Sequence, residues 1–441
     1  MAQAKVLDGK ASRSEPARKE SRRSRSRRAR QFSTIALAVA VAAITISLVF
    51  FPKDAFEAAV EGMKVFWEIV FPSLLPFFVL SEMLLGLGVV HFLGVLLEPL
   101  MRPLFNVPGV GAFALSMGLA AGYPMDAVIT SKFRRQKMCT RVEGERLLAF
   151  TNTADPLFMF GAVAVGMFGR PELGAILAGA HYLSSFTVGF IFRFYRHKES
   201  SLDAPTAKRG NIFIRASQQL FKARREDGRL FGQLLSDAVT ESIKTLLMIC
   251  GFIMLFSVMN KVLAVTGGFN IINSVLTGLL RLVGFEPTLA SGLFQGLLEI
   301  DIGTVTISKA IAPLWQKLTI ASAVIAWSGL SVHGQVASVI NDTDIRMTPY
   351  VVARIFHSII SGLYTVLILL LTGGSLPVMT SAGAVFRRVF AAAGLQTVPL
   401  VVERFLLNTF QMALFLGGLI VLSLAVYFLR RVRVVWLRVK K

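Results

Sequence analysis

Four acidic residues and one histidine lie within apolar stretches of this chain, beside residues that interrupt helices. Placing an ionised side chain at membrane depth costs on the order of several kcal/mol, so such groups normally face a cavity or a partner. Together with nearby glycine, proline and amide side chains, they are candidates for binding a small polar or ionic ligand. The candidates are Gly122, Tyr123, Pro124, Asp126, Asn152, Thr153, Asp155 and Pro156 in the first half, and Gln295, Glu299, Asp301, Ser328, Ser331, His333 and Gln335 in the second.

Structural roles compete with these assignments. Asp155 precedes Pro156 and can cap a half-helix. Asp126 can lie at the membrane rim and pair with Lys132 or Arg134, both of which follow it closely.

Other candidates have equally simple alternatives. Glu299 and Asp301 can lie shallow in water, and Asn152 and Thr153 can serve as hydrogen-bonding glue between helices. His181 and His357 are lone histidines on apolar helices, where packing is commoner than ligand binding.

The elements that must position these residues are membrane helices. The 441 residues are 54% hydrophobic and 17% charged, and the apolar residues run in blocks of the roughly 20 residues needed to cross a bilayer. We predict an all-α polytopic membrane protein with about eight transmembrane helices. They lie near 32–51, 62–90, 145–168, 171–194, 238–260, 317–340, 349–372 and 406–429.

Two further apolar pieces, 110–131 and 288–309, are broken by glycine, and we predict that they are re-entrant helical hairpins. Non-helical backbone at membrane depth is tolerated where protein or a wet cavity covers it. A hairpin tip exposes free backbone groups and the dipoles of two half-helices, which can hold a ligand.

The charge pattern fixes the expected orientation. The formal net charge is +21, from 47 Lys+Arg against 26 Asp+Glu, and Lys and Arg collect in cytoplasmic loops. Eight spans and two hairpins place every strongly basic segment, and both termini, on the cytoplasmic side. We expect anionic lipid headgroups as neighbours of these loops and no nucleic-acid partner.

The predicted organisation follows from these elements. It comprises a disordered basic tail (1–31), a first transmembrane helix (32–54), a first repeat (55–196), a basic cytoplasmic linker (197–237), a second repeat (238–375), and a C-terminal transmembrane helix with a basic tail (376–441).

The two repeats are matched by a constant offset of 177 residues. AVITSK (127–132) falls on TVTISK (304–309), and AHYLSSFTVGFIF (180–192) falls on HSIISGLYTVLIL (357–369). Each unit contains an odd number of crossings, so the second copy must be inverted. Inverted repeats with discontinuous helices near the midplane are typical of secondary transporters.

Four motifs carry a family resemblance: FPSLLPFFVLSEML (71–84), MGLAAGYPMDA (117–127), FTNTADPLFMFGAVAVGMFG (150–169) and GLSVHGQV (329–336). Over about residues 55–375 the chain resembles the YlbJ-type sporulation integral membrane proteins, with nucleoside-recognition (Gate) domains shared with concentrative nucleoside transporters. The resemblance implies a role in spore cortex formation, in the bacterial cell membrane and specifically the outer forespore membrane.

The resemblance also bears on individual residues. It implies that Gly122-Tyr123-Pro124, Asn152-Thr153 and His333-Gln335 are typical of the family. Asp126 and Asp155 stand where it leads us to expect small or neutral residues.

Two functional hypotheses remain open. The first is a transporter-like protein for a small polar solute, and the second is a morphogenetic scaffold that recruits cortex or coat assembly factors. Short enzyme signatures such as GxSxG, HExxH and the Walker loop are absent from the sequence, so we predict no enzyme. Cys139 and Cys250 fit no metal-ligand spacing, and we predict no metal and no cofactor. A homo-oligomer stays possible.

Overall fold

The structure is a computed structural model that describes residues 34–35, 38–39, 41–156, 158–199, 211–372 and 416–429. Every regular element in those ranges is helical, and none of these residues forms a β-strand. The predicted all-α class is therefore confirmed. The predicted tail 1–31 and most of the segment 376–441 lie outside the described residues.

The first half begins with a long helical rod that ends in a sharp bend. After α1 (Val41–Phe50), α2 (Pro52–Val65) continues through a π-helical turn (Phe66–Val70) into α3 (Phe71–Gly86). The end of α3 and α4 (Val89–Phe105) meet at 82°. Gly88 permits this bend, because its φ is +81° and the Leu220 carbonyl oxygen would lie 2.5 Å from a Cβ there. The predicted span 62–90 therefore covers the second half of this rod and runs past the bend into the start of α4.

Short and interrupted helices follow. The first hairpin consists of α5 (Gly111–Ala121) and α6 (Met125–Arg135). A capping box then starts α7 (Arg141–Thr151): the Thr140 hydroxyl accepts from the Glu143 N–H at 3.2 Å, and the Glu143 carboxylate accepts from the Thr140 N–H at 2.8 Å. Residues 152–155 are not helical. The half ends with the π-helix π2 (Phe158–Met167) and α8 (Leu173–Phe192).

The second half is also built of helices. Its helices are α9 (Ile212–Asp227), α10 (Phe231–Val265), α11 (Gly268–Leu282), α12 (Leu289–Leu298), α13 (Ile300–Lys309), α14 (Leu314–Trp327), α15 (Gly329–Ile340), α16 (Met347–Leu371) and α17 (Leu416–Leu429). The second hairpin is α12 and α13, with its break at Glu299. Both pieces predicted as hairpins are therefore interrupted helices.

Within the part of the chain that the structure describes, four helices are long and apolar enough to cross a membrane. They are α8, α10, the α14–α15 pair and α16, and a bent α3–α4 pair would make a fifth. They correspond to the predicted spans 171–194, 238–260, 317–340 and 349–372. The predicted crossing 145–168 is broken between α7 and π2, and the count of eight spans stays a prediction.

The rod formed by α2 and α3 packs antiparallel to the long helix α10, which is the second rod. Asp54 at the start of α2 pairs with Lys261 near the end of α10, at 3.2 Å. At the other end, a Cβ on Gly86 would lie 2.5 Å from Leu234 Cδ1 near the start of α10. This antiparallel pair forms one side of the fold.

Two turns meet at one end of the molecule, which we call the basic end: residues 136–140 after the first hairpin and residues 341–346 after α15. Arg134 donates to the two carboxylate oxygens of Asp344 at 2.6 and 2.9 Å, and Arg135 pairs with Asp342. Arg346 donates to the buried Glu145 at 2.7 Å. Charged contacts therefore join the two halves at this end.

Candidate functional site

The tip of the first hairpin lies directly against the break in the next helix. Gly122 has a φ of +73°, a conformation that glycine adopts without strain. A Cβ at this position would lie 2.9 Å from Asp155 Oδ2 and 3.2 Å from Asp155 N. The missing side chain therefore lets the tip approach the backbone of the 152–155 break.

The residues after Gly122 hold the tip in place. The Tyr123 hydroxyl donates to the Ile325 carbonyl of α14 at 2.8 Å, which ties the tip to the second half. The peptide bond between Tyr123 and Pro124 is cis, and Pro124 directly precedes α6. Asp155 Oδ1 accepts from the Phe158 N–H at 2.9 Å, so the predicted capping role of Asp155 is confirmed.

Asp126 is fully buried in the first turn of α6, where a helix dipole favours negative charge. Its carboxylate accepts from Asn152 Nδ2 at 2.8 Å and from the Thr151 hydroxyl at 3.1 Å. The alternative of a rim ion pair with Lys132 or Arg134 is wrong. Lys132 pairs with Glu82, and Arg134 pairs with Asp344.

Asn152 connects this acid to the second half. Its Oδ1 accepts from the Tyr350 hydroxyl at 2.9 Å, and that hydroxyl lies 3.4 Å from the Ser328 hydroxyl. Asp126, Asn152, Tyr350 and Ser328 thus form one buried chain of polar contacts. Thr153 is also buried, and its hydroxyl lies 3.4 Å from the Thr151 carbonyl oxygen.

One arginine caps both interrupted helices. Arg354 of α16 is fully buried and donates to the carbonyls of Ala149 at 2.8 Å and Asn152 at 2.6 Å, which end α7. It also reaches the Ala326 carbonyl at the end of α14, at 3.4 Å. Helix C-termini carry unpaired carbonyls and partial negative charge, so the guanidinium stabilises both breaks at once.

The tip of the second hairpin lies against the second break in the same manner. Glu299 has extended backbone and is buried, which contradicts the alternative of a shallow position in water. A Cβ on Gly329 would lie 3.0 Å from the Leu298 carbonyl oxygen and 3.3 Å from Glu299 Cα. Both Ser328 and Gly329 have positive φ, which places the break of α14 and α15 beside Glu299.

The remaining candidates of the second half surround this tip. Asp301 is exposed, and it interacts electrostatically with both Glu299 and Asp155. Gln295 accepts from the Thr306 hydroxyl within the hairpin. Asp301 therefore links the carboxylate of its own hairpin tip, Glu299, with that of the first break, Asp155.

His333 and Gln335 lie on α15 behind the tip. His333 Nδ1 lies 2.7 Å from the Gly329 carbonyl oxygen, and its ring packs on Trp327 and Tyr350, with centroids 4.3 and 5.1 Å apart. Gln335 Nε2 lies 3.4 Å from the Ser331 hydroxyl. His333 Nε2 and Arg354 Nε are buried and have no hydrogen-bond partner among the described residues.

The two other buried histidines bind main chain. His181 Nε2 accepts from the Ala154 N–H at 3.0 Å, and His357 Nε2 lies 2.9 Å from the His181 carbonyl oxygen. Among the described residues, no group of three or more His, Cys, Asp or Glu side chains could hold a metal ion.

Sequence analysis missed Thr151, Tyr350 and Arg354. Arg354 carried a usable signal, because it is the kind of charged residue that an apolar span tolerates only with a partner. Thr151 and Tyr350 resemble ordinary helix residues, and only their contacts reveal their role.

The comparisons with known proteins agree with the family resemblance of the sequence, and the family model covers three of its four motifs. A family model described as "Nucleoside recognition" (Gate) matches residues 67–198, which include the first hairpin, the 152–155 break and α8. The chain is 42% identical over 345 residues to the "Sporulation integral membrane protein YlbJ" of Bacillus subtilis (strain 168), covering 77% of this chain and 83% of that protein. No solved structure matches. The chain therefore belongs to the family of YlbJ-type sporulation integral membrane proteins.

Proposed function

We propose that this protein acts in sporulation as a transporter-like membrane protein that binds a small polar solute where its two hairpin tips meet the two helix breaks, and that this activity is required for spore cortex formation. Its place is the bacterial cell membrane, in the outer forespore membrane, with the basic end in the cytoplasm. The observation that carries the proposal is the pairing of each tip with a break: Gly122 with Asp155, and Glu299 with Gly329.

The proposal includes an inverted repeat, which the spacing of the elements supports. The two tips, Gly122 and Glu299, are 177 residues apart, and the helix pairs α4 and α11, α5 and α12, and α8 and α16 recur at about that offset. The Thr187 hydroxyl lies 2.9 Å from the Tyr364 hydroxyl, its own counterpart 177 residues later. A residue that contacts its counterpart lies on the axis that relates two copies.

The directions of the paired helices agree with inversion. Phe192 and Ala353 share one apolar cluster, whereas a Cβ on Gly179 would lie 3.7 Å from Ile368 Cδ1. The end of α8 therefore lies near the start of α16, and its start near the end of α16. The two long rods are antiparallel as well, as expected for an axis in the membrane plane.

The chemistry of the junction suits a small polar ligand. Two half-helix breaks and three carboxylates supply hydrogen-bonding groups, and the buried His333 Nε2 and Arg354 Nε have unused hydrogen-bonding capacity. Buried polar groups normally find a partner. A polar solute at the junction would supply one.

Uptake into proteoliposomes tests the proposal. The full chain would be reconstituted and offered radiolabelled nucleosides first, because of the family model, and then other small polar solutes. We expect uptake by the wild type, and at least about a tenfold loss in Asp155→Asn if that carboxylate binds the solute through charged hydrogen bonds. Asp342→Asn, an exposed carboxylate at the basic end, is the matched control and should keep normal uptake.

Complementation separates transport from scaffolding. The variants would be expressed in Bacillus subtilis lacking its own YlbJ, and heat-resistant spores would be counted at matched membrane levels. Failure of Asp155→Asn, with success of Asp342→Asn, is expected. Full rescue by Asp155→Asn and the absence of uptake by the wild type would instead favour a non-transporting scaffold.

A further inference from the structure

The helix α9, within the segment predicted as a cytoplasmic linker, has three distinct faces. Ile212, Ala216 and Ala223 are buried against the rest of the fold. A second face is apolar but exposed, with Phe213, Ile214 and Phe221 exposed by 45%, 59% and 66%. Arg215, Gln218, Lys222 and Arg225 belong to a third, polar and basic face.

The exposed apolar face of α9 is followed in the chain by exposed apolar residues at the start of a helix that could cross a membrane. Leu230 and Phe231 follow α9 directly and are 78% and 59% exposed, and Phe231 begins α10, a helix long and apolar enough to cross a membrane. An exposed apolar surface on such a helix is suited to lipid. A charged segment, KARREDGR (222–229), separates Phe221 from Leu230 along the chain, so the two apolar surfaces are neighbours with charged residues between them.

The position of α9 also places it at the membrane boundary. It packs on α4, whose axis lies at 82° to that of the end of α3, so α4 would run along the bilayer where α3 crosses it. Leu96 of α4, Ile212 and Ala216 form one apolar cluster, and Ile420 and Leu424 of the apolar helix α17 pack against it. In a bilayer, a helix in this position would have lipid beside it and headgroups around it.

The charge of α9 is complementary to anionic headgroups. It carries Arg215, Lys222, Arg224 and Arg225 against Glu226 and Asp227, which gives a net charge of +2. A helix with one apolar face and a neighbouring basic face lies in the interfacial layer of a bilayer. Basic residues there are attracted to anionic lipids.

We propose that α9 is an interfacial helix, which inserts Phe213, Ile214 and Phe221 into the boundary between headgroups and acyl chains and binds anionic phospholipid headgroups through its basic face. The inference is independent of transport, because it rests on α9 and its surroundings alone. It also assigns part of the predicted linker to the membrane surface.

Tryptophan quenching by brominated lipids tests the position of the apolar face. Phe221→Trp and Glu226→Trp would be made in the full chain. Position 226 is the comparison, because five residues after Phe221 it points about 140° away from the apolar face. Each variant would be reconstituted in vesicles of phosphatidylcholine and phosphatidylglycerol brominated near carbons 6 and 7. The emission of the wild type, with its native tryptophans, would be subtracted.

We expect the bromolipid to quench the emission of the tryptophan in Phe221→Trp at least about twofold more than that in Glu226→Trp. Lipid brominated deeper in the acyl chain should quench Phe221→Trp less, because interfacial helices insert only about 5–10 Å. Equal quenching of the two variants would overturn the proposal. So would low quenching of Phe221→Trp by both lipid bromine and aqueous acrylamide, since that pattern means a protein cover such as a second copy. Phe213→Trp provides the same test should Phe221→Trp fold poorly.

The basic face has its own test in the same vesicles. Lys222→Gln and Arg225→Gln, combined with Phe221→Trp, should reduce lipid quenching in vesicles containing phosphatidylglycerol and leave it unchanged in pure phosphatidylcholine. An equal effect in both kinds of vesicle would rule out recognition of anionic headgroups.

Discussion

Arg354 connects the interrupted helices of the two halves more directly than any residue predicted from the sequence. It is fully buried, and its guanidinium binds the carbonyls of Ala149 and Asn152 in the first half and of Ala326 in the second. The charge is tolerated because the ends of two helices surround it with partial negative charge. Its role is therefore structural support of the site.

Replacing Arg354 by Gln should lower the free energy of unfolding by about 2–4 kcal/mol, because buried carbonyls lose charged donors. Thermal unfolding in detergent, followed by intrinsic fluorescence, would measure the loss. Arg281→Gln removes an exposed arginine of α11 and should change stability by less than about 0.5 kcal/mol. Equal unfolding temperatures for Arg354→Gln and wild type would contradict this role.

The hydrogen bond between Tyr350 and Asn152 can be measured by itself. A double-mutant cycle with Tyr350→Phe and Asn152→Ala should give a coupling free energy of about 0.6–1.7 kcal/mol, the range found for polar pairs between membrane helices. Unfolding of the two single variants and the double variant supplies the three free-energy changes. Strict additivity would mean that the 2.9 Å contact contributes nothing.

At the scale of elements, the hairpins depend on glycine where the tip meets the break. Gly122 combines a positive φ with an approach to Asp155 that leaves no space for a methyl group. The turn and the contact are therefore set by the same residue.

Gly122→Ala should destabilise the protein by about 1–3 kcal/mol through backbone strain and displacement of Asp155. Gly278→Ala is the matched control: a Cβ there meets no atom within 4 Å, and its helical position should gain up to about 1 kcal/mol. Thermal unfolding of the two variants gives the comparison. A Gly122→Ala protein as stable as Gly278→Ala would show that the tip is not held as described.

The sequence predicted the interrupted hairpins because glycine and proline mark breaks in apolar segments. It did not predict the bend between α3 and α4, since residues 87–88 lie inside one continuous apolar run. It also missed α9 and the true start of α10. The basic residues between Lys208 and Arg229 made that region resemble a polar linker, although Ile212, Ala216 and Ala223 recur at helical spacing.

The sequence predicted which residues belong to the candidate site, but it did not predict which residues they would contact. Asp126, Asn152 and Ser328 belong to one polar chain, but Tyr350, which joins them, carries no signal of its own. Hydrogen-bond partners up to about 200 residues apart depend on how the two halves pack, and local patterns do not encode that.

At the scale of the whole molecule, the basic end couples the halves through charges outside the membrane helices. Arg134 hydrogen-bonds to Asp344 and lowers the pKa of that carboxyl below its usual 3.8. The pair therefore stabilises the fold fully above about pH 3.8, and this contribution is lost as the pH falls through the lower pKa of the folded protein.

We expect wild type to unfold at a higher temperature than Asp344→Asn near pH 6, and the difference to shrink below pH 3.8. The side chain of Asp344 is half exposed, so the difference should be at most about 1 kcal/mol. Thermal scans of both proteins from pH 3 to 7 measure it. If the difference in unfolding temperature grew on acidification, the ion pair between Arg134 and Asp344 could not be its source.

The two ends of the contact between the halves differ in chemistry. At the basic end the contact is ionic, whereas Phe158 and Phe168 of the first half pack with Leu289 and Ile300 of the second in an apolar cluster. Raising the salt concentration from about 0.15 M to 1 M shortens the screening length from roughly 8 Å to 3 Å. Concentrated salt should therefore weaken the exposed ion pairs of the basic end and leave the apolar cluster at the other end almost unchanged, so ionic strength weakens the contact between the halves at one end only.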